Sequence, residues 1–441
     1  MGTVIIICQL ILSLSILVIL HECGHFFPAK WFKTKVEKFY LFFDPYFSLF
    51  KKKIGETEYG IGWLPLGGYV KIAGMVDESM DIEQMKKDPQ PWEFRSKPAW
   101  QRLIIMLGGI TVNFILGFFI FSMLIWKNGI PYLPTSEVKY GIATDSISQL
   151  MGFRDGDVII GIQGEKLERF DKGKIIKSLI LENKNTINVI RNGVETNVVV
   201  APEHIALLTK RENKDLTLIA PRQPLLIDTL PTNMPAFIGG LMKGDRIFMA
   251  NDQPINFAHE LHRITQREAN KEVKFGIIRG VDTLYKTITS NEKGVFGIDW
   301  PKLNFSIEEY SFFQSFPMGV KKGIDFLTTQ LKAFGKMFTG EIKANDSLGG
   351  FISIAGLFDN TWNWNAFWNT TAVLSIILAF MNLLPIPGLD GGYVVFLLWE
   401  VISGKKVSDK FMEKAVTVGF FLLMALMIYA NGLDLIRAFF N

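Results

Sequence analysis

Four long stretches without a charged side chain constrain the fold more than any other feature of this sequence. They run from Thr3 to Leu20, Leu103 to Trp126, Ala366 to Leu389 and Ala415 to Leu433. A helix needs about 20 apolar residues to cross roughly 30 Å of hydrocarbon. We therefore expect four transmembrane helices in this 441-residue chain.

The positions of the basic residues predict the orientation of these helices. Met1 to Leu20 contains no Lys or Arg, which disfavours a cleaved signal peptide, because such a peptide begins with a basic region. Positive charge marks the cytoplasmic side of a membrane. We therefore expect the loop that starts at Lys30, and the later loop with Lys405, Lys406 and Lys410, to face the cytoplasm.

The first apolar stretch ends in the sequence His21-Glu22-Cys23-Gly24-His25. Residues four apart share one face of a helix, so His21 and His25 can bind a single zinc ion, with Glu22 beside its water. Cys23 lies off that face, and packing is its simplest role. A catalytic zinc site also needs a third protein ligand and an open position for water.

The third apolar stretch is interrupted by Pro385 and Pro387 and carries two polar side chains, Asn382 and Asp390. Broken backbone at membrane depth is tolerated only where protein or a water-filled cavity covers it. An ionisable residue there is costly and marks a functional site. Asp390 is therefore the predicted third ligand, and Asn382 is a candidate to hydrogen-bond a substrate backbone or a developing oxyanion.

This set of residues predicts the hydrolysis of a peptide bond. One zinc ion polarises a carbonyl and lowers the pKa of its water from about 15.7 toward 7, and Glu22 accepts the proton. A helical substrate hides its carbonyls, so it must unwind before it is cut.

The segment Tyr59 to Lys71 combines β-prone residues with glycines and ends in Leu66-Gly67-Gly68-Tyr69-Val70-Lys71. This pattern predicts a short hairpin or sheet close to the membrane. A plain interfacial turn is the simpler alternative. An edge strand that includes Gly67, Gly68 and Tyr69 would instead bind an extended substrate by strand pairing.

A weak internal repeat lies between the second and third apolar stretches. Gly152 to Gly164 and Gly240 to Asp252 each place a Gly-Asp turn before a β-prone run. This signature resembles that of PDZ domains, which implies two of them, at 135–203 and 222–292. Their grooves accept a peptide as an added strand. Two copies of a small β-rich fold without a ligand are the alternative.

Composition indicates which classes of molecule the protein can bind. The net charge is +4 with scattered lysines, so no basic patch argues for nucleic acid. Only Cys8 and Cys23 are present, so the polar regions contain no possible disulfide. An amphipathic stretch from Ser311 to Gly340 and tryptophans before the third span suit contact with membrane lipid.

The predicted fold class is a multi-pass α-helical membrane protein with a membrane-associated β-hairpin or sheet and two extracytoplasmic α+β PDZ domains. The predicted segments are a first transmembrane helix at 1–30, a cytoplasmic-side loop with the β-region at 31–100, a second transmembrane helix at 101–127, PDZ domains at 135–203 and 222–292, an amphipathic helical region at 305–365, a broken third transmembrane segment at 366–400 and a fourth transmembrane helix at 414–436.

His21 to His25, together with Asn-x-x-Pro-x-Pro-x-Leu-Asp-Gly at Asn382 to Gly391, resembles the paired motifs of the site-2 protease family of intramembrane zinc proteases. The similarity covers essentially the whole chain. It implies one zinc ion bound by His21, His25 and Asp390, with Glu22 as general base and Asn382 in contact with substrate.

The resemblance further implies a bacterial inner-membrane enzyme that cuts single-span membrane proteins, such as anti-sigma factors in stress responses, or signal-peptide remnants. Its PDZ domains would lie in the periplasm and act as a size filter, with a peptide or partner possible at their grooves.

The sequence departs from that family at five positions outside the predicted ligand set. Relatives often have proline where this chain has Ile110 and Phe351, glycine where it has Phe42 and Asp44, and histidine where it has Tyr393. These departures bear on loop packing and substrate preference.

Two other classes of protein remain as alternatives. A membrane-anchored PDZ scaffold could bind extracytoplasmic peptides without proteolysis, although all the ligands and the base are present. A metal transporter would need polar residues along a path through the spans, and the sequence has them at one site only.

Overall fold

The computed structural model describes residues 2–65, 67–75, 88–213, 216–265, 268–343, 345 and 348–440. Leu66, in the predicted β-region, lies outside the described residues. The chain forms two compact units. We call them the helical unit, with Met1–Gly129, Glu309–Gly335 and Ser347–Asn441, and the β-rich unit, with Ile130–Glu308 and Lys336–Asp346.

The described α-helices range from a single turn to more than eight turns. They are α1 Gly2–Trp31, α2 Ala99–Asn128, α3 Ser146–Leu150, α4 Lys172–Leu181, α5 Pro202–Leu207, α6 Pro235–Ile238, α7 Ala258–Thr265, α8 Phe312–Phe338, α9 Phe351–Ala355, α10 Trp364–Leu383, α11 Asp390–Ser403 and α12 Asp409–Phe440.

The described strands range from two to twelve residues in length. They are β1 Val36–Leu41, β2 Phe43–Ile54, β3 Thr57–Leu64, β4 Tyr69–Ile72, β5 Ile130–Pro134, β6 Ile142–Thr144, β7 Val158–Ile162, β8 Glu165–Lys166, β9 Arg169–Phe170, β10 Thr186–Arg191, β11 Val194–Val199, β12 Ile219–Pro221, β13 Arg246–Ala250, β14 Gln253–Pro254, β15 Glu272–Arg279, β16 Asp282–Thr289 and β17 Ser306–Glu308.

Within the described part of the chain, four helices are long and apolar enough to cross a membrane, as the sequence predicts. They are α1, α2, α10 and the Lys410–Phe439 part of α12. All four belong to the helical unit.

Two glycines allow α1 and α2 to cross in close contact. A Cβ on Gly24 would lie 2.5 Å from the carbonyl oxygen of Gly108, and a Cβ on Gly108 would lie 1.8 Å from the carbonyl oxygen of Gly24. Small residues are what let membrane helices approach this closely. The crossing occurs beside His25, so it also places α2 against the histidine pair.

The backbone between α10 and α11 leaves the helical path at Leu384 to Leu389, where Pro385 and Pro387 interrupt the hydrogen-bond ladder. Protein covers this break: a Cβ on Gly419 of α12 would lie 1.5 Å from the carbonyl oxygen of Pro387. Helix α11 begins at Asp390, which the break therefore presents to the interior of the unit.

The β-region of the helical unit is a four-stranded sheet in the order β2-β3-β1-β4. β1 runs parallel to β3 and antiparallel to β4, so it separates the two strands that the Tyr59–Lys71 segment contributes. The segment therefore belongs to a sheet, as predicted, and the alternative of a plain turn is wrong. Strand β4 lies at an edge.

The β-rich unit contains two halves with the same order of elements. In the first half, β7, β8, β10 and β11 form a sheet in the order β11-β10-β7-β8, and α4 precedes β10 in the chain. In the second half, β13, β14, β15 and β16 form the matching sheet in the order β16-β15-β13-β14, and α7 precedes β15. Each half has its own apolar core, around Ile159 and Ile187 in one and Phe275 and Ile277 in the other.

A buried aspartate-arginine pair recurs at the same place in both halves. Arg191 donates from Nε and Nη2 to the two carboxylate oxygens of Asp157, both at 2.8 Å. Arg279 does the same to Asp245, both at 2.7 Å. The aspartates are those of the two Gly-Asp turns, so the repeat in the sequence corresponds to a repeat in the structure.

Candidate metal centre

The three predicted ligands, 369 positions apart at their extremes, come together in the interior of the helical unit. His21, His25 and Asp390 each offer a ligand atom, and these atoms all lie within 4.8 Å of one another. His21 and His25 are 8% and 7% exposed. The Nε2 atoms of both histidines lie 3.3 Å from Oδ2 of Asp390 and 3.2 Å from each other.

These spacings fit a tetrahedral zinc site. With metal–nitrogen and metal–oxygen bonds of about 2.0–2.1 Å, the ligand atoms of a tetrahedron are separated by roughly 3.3 Å. Three protein ligands leave the fourth position open, as in catalytic zinc sites.

The hydrogen bond from His25 to α2 leaves its Nε2 atom free to bind a metal. Nδ1 of His25 lies 2.8 Å from the carbonyl oxygen of Ile105, which can only accept, so Nδ1 carries the proton. Nδ1 of His21 lies 3.2 Å from the side-chain amide of Asn113. Oδ2 of Asp390 has no hydrogen-bond partner among the described residues. Lone pairs that converge in a buried site require a cation.

Helix α2 makes room for this centre at Gly109. A Cβ there would lie 2.3 Å from Nε2 of His25 and 2.7 Å from Cε1 of His21. Ile105, Gly109 and Asn113 are four residues apart and so form one stripe along α2, facing the histidines of α1.

Glu22, the predicted base, is 9% exposed and directly follows His21. Its carboxylate accepts a hydrogen bond from the backbone N–H of Val70, in β4. The edge strand of the sheet therefore lies beside the centre.

The predicted substrate-binding residues divide between the break and the edge strand. Nδ2 of Asn382 lies 3.3 Å from Nε2 of His21, so this side chain reaches the centre itself. Gly68 lies against α1, since a Cβ there would be 2.6 Å from Cγ1 of Val18. Gly67 has a φ of +151°, which favours glycine.

Tyr69 is held in a stack of aromatic rings rather than directed at the ligands. Its ring stacks on Tyr40 at 5.3 Å and on Phe43 at 6.1 Å between centroids, and its hydroxyl donates to Asp44. Burial and the hydrogen bond to Asp44 raise the pKa of Tyr69. Asp44 thus has a defined role in orienting the start of β4.

Sequence reasoning missed three contributors to the centre. Ile105 and Val70 act through backbone groups, which leave no signal in a sequence. Gly109 is one of three glycines in α2, and nothing in the local sequence distinguishes it from the others.

The chain resembles known proteins along nearly its entire length. The family model that matches residues 9–426 is described as peptidase family M50. The chain is 27% identical to the regulator of sigma E protease of Haemophilus influenzae, covering 97% of this chain and 98% of the relative. It is 28% identical to the regulator of sigma-E protease RseP of Escherichia coli, with 96% of each chain covered.

A relative from Borreliella burgdorferi, 27% identical with 96% of each chain covered, has zinc metalloprotease in its name. The family match spans far more than half of the residues. The chain therefore belongs to peptidase family M50 and is a zinc metallopeptidase of the site-2 type.

Proposed function

We propose that this protein holds one catalytic zinc ion with His21, His25 and Asp390 and cleaves peptide bonds within the transmembrane segments of single-span membrane proteins. The convergence of the three ligand atoms beside Glu22, in the unit that contains all four candidate spans, carries this proposal. Membership of family M50 supports it.

A zinc ion held by His21, His25 and Asp390 would supply the Lewis acidity that polarises the scissile carbonyl and lowers the pKa of water toward neutral. Glu22 accepts the proton of the attacking water and returns it to the leaving amine nitrogen. The hydrogen bond from Val70 orients the carboxylate for this transfer. Nδ1 of His25 and Nδ1 of His21 each lie against a polar group of α2, so Nε2 of each ring points toward the metal position.

The substrate would bind as an added strand along β4. This strand pairs only with β1 among the described strands, so a substrate strand would pair along its second edge. Because Val70 contacts Glu22, that edge lies alongside the base. A substrate helix that unwinds there exposes its carbonyls next to the centre, and Gly67, Gly68 and Tyr69 set the path of the strand.

Asn382 would complete the site from the break between α10 and α11. Its amide lies at the metal-binding face of His21, where it can donate to a substrate carbonyl or to the developing oxyanion. Its place in the Asn382–Gly391 segment, before Pro385, keeps this donor close to Asp390.

The biological setting is proposed from the relatives. Two of them have names that describe regulators of sigma E, so anti-sigma factors, along with signal-peptide remnants, are the proposed substrates, in a bacterial inner membrane. The β-rich unit would lie in the periplasm as two PDZ domains at 135–203 and 222–292 that exclude large ectodomains. Deleting 135–292 should render such substrates cleavable, and unchanged resistance would contradict the filter.

A proteolytically inactive PDZ scaffold is the second candidate. It is disfavoured because His21, His25, Asp390 and Glu22 form a complete hydrolytic site. A metal transporter is disfavoured too, because the described residues hold one candidate site rather than a path of them.

The test is Glu22→Gln, measured on the purified full chain with a reporter that carries one apolar span interrupted by glycine. We expect cleavage to be abolished while zinc stays bound at one ion per chain. Glu56→Gln, which alters an exposed glutamate in the turn between β2 and β3, is the control and should cleave normally. Full activity of the Glu22 variant, or protein without stoichiometric zinc, would overturn the proposal.

A further inference from the structure

Asn113 is fully buried in the middle of α2, in a stretch with no charged residue. A buried polar side chain in such a place needs partners, because an unpaired amide is costly to bury. The described structure gives it one: its side-chain nitrogen faces Nδ1 of His21 at 3.2 Å. Its side-chain oxygen has no partner among the described residues.

The position of the proton on the His21 ring decides whether the nitrogen or the oxygen of the Asn113 amide faces Nδ1. If Nε2 of His21 binds the metal, the neutral ring carries its proton on Nδ1, and that N–H needs an acceptor. Rotating the Asn113 amide by 180° exchanges two atoms of similar size and places the unpartnered oxygen opposite Nδ1. The hydrogen bond then runs from His21 Nδ1 to Asn113 Oδ1.

The backbone around Asn113 is fixed independently of His21. Ser375 of α10 donates from Oγ to the carbonyl oxygen of Asn113 at 2.7 Å, and this contact is buried. Asn113 is thus held between α1 and α10, with little freedom to follow a moving ring. A rigid acceptor can fix both the tautomer and the orientation of a histidine ligand.

We infer that Asn113 is a positioning residue of the metal centre, whose side-chain oxygen fixes the ring of His21 and thereby sets the affinity of the site for zinc. The role matches that of the Ile105 carbonyl, which accepts the hydrogen bond from Nδ1 of His25 on the same face of α2. This inference rests on the proposed ligand set.

The experiment measures zinc affinity by chelator competition on the purified full chain, together with thermal unfolding of the metal-free protein. Asn113→Leu keeps the size but removes the acceptor, and we expect it to weaken zinc binding by about 10–100-fold. Asn113→Asp keeps an acceptor and should bind zinc at least as tightly as the wild type. If the leucine variant does not fold, Asn113→Ala replaces it in the zinc-affinity measurement.

Asn128→Leu makes the same change at the far end of α2, where the side chain faces Asn365, and should leave the affinity unchanged. His21→Ala separates the two proposals. If it abolishes tight zinc binding while Asn113→Leu and Asn113→Ala leave it intact, the positioning role is wrong and the ligand set stands. If His21→Ala binds zinc normally, the ligand set itself is wrong. Equal loss in Asn113→Asp and Asn113→Ala would also overturn the role of the acceptor.

Discussion

The α-carbon of Gly109 lies so close to His25 that a Cβ attached to it would be 2.3 Å from Nε2, the nitrogen that faces the metal site. That distance is far below a van der Waals contact, and the wall of the centre is therefore the bare backbone of α2. The space next to the ligands exists because this one position lacks a side chain.

We predict that Gly109→Ala displaces one or both histidine rings and abolishes tight zinc binding and proteolysis. Zinc content of the purified variant and cleavage of the single-span reporter measure the effect. Gly432→Ala is the matched control, because a Cβ there meets nothing within 4 Å. A Gly109 variant with full zinc occupancy would show that α2 can retreat from α1.

A second prediction concerns the ion pair between Arg102 and Glu400, which joins α2 to α11. Arg102 is buried, and Glu400 lies ten residues after Asp390 on the same helix, so the pair helps to fix the proposed third ligand. Glu400→Leu should destabilise the protein by about 3–5 kcal/mol, because it leaves a buried guanidinium unpaired. The temperature of thermal unfolding and the affinity for zinc should both fall.

The double variant Arg102→Met with Glu400→Leu removes both charges and should recover much of that stability. Additive losses in this double-mutant cycle would mean that the two residues do not act as a pair.

A third prediction uses the duplicated pairs of the β-rich unit. Asp157→Asn and Asp245→Asn should each cost about 2–4 kcal/mol, since each leaves an arginine without its bidentate partner. Hydrogen exchange should show loosening of the half that carries the substitution, around β7 or around β13. Asp252→Asn, at an exposed pair with Lys274, should have little effect. Loosening of both halves by one substitution would argue against independent cores.

The fourth prediction concerns pH and the contact between the two halves. Burial raises the pKa of Asp155, but hydrogen bonds from Arg263 and Thr144 outweigh burial and hold that pKa below its ordinary value. A lowered pKa in the folded state stabilises the fold above the pKa of the unfolded chain, about 3.9, and the stabilisation is lost as the pH falls below it. Arg263→Met should therefore destabilise the protein at pH 7 by about 1 kcal/mol, with a smaller difference from wild type below pH 4.

Lys243→Met is the control, because its pair with Asp228 is exposed. If the loss of stability in Arg263→Met stays constant down to pH 3, the stabilising effect of Arg263 does not depend on the ionisation of Asp155. His259 also faces Asp155, with Nε2 at 3.2 Å from the carboxylate, and burial lowers the pKa of this histidine.

The membrane helices and the ligand-bearing segments were predictable because each has a local signal. Charge-free runs indicate spans, and His21 to His25 and Asp390 are chemically conspicuous in them. The partners of those residues were not predictable. The Ile105 carbonyl is identical to every other carbonyl of α2, and nothing local distinguishes Gly109, which faces the histidines, from Gly117, which faces Ile376.

The sheet illustrates the same limit. The segment Tyr59 to Lys71 has local β character, but the pairing of β3 and β4 on either side of β1 depends on contacts between distant residues. The Arg191 to Asp157 pair is likewise 34 residues apart, and only the repeat at Arg279 and Asp245 would have suggested it.

The distance along the chain between His25 and Asp390 has a consequence for the timing of activity. A ribosome that adds about 5–20 residues per second needs roughly 20–70 s to pass from one to the other. During that interval the first helix is already made, yet its histidines lack the carboxylate. With the proposed ligand set, the metal centre is therefore completed only after Asp390 has been made.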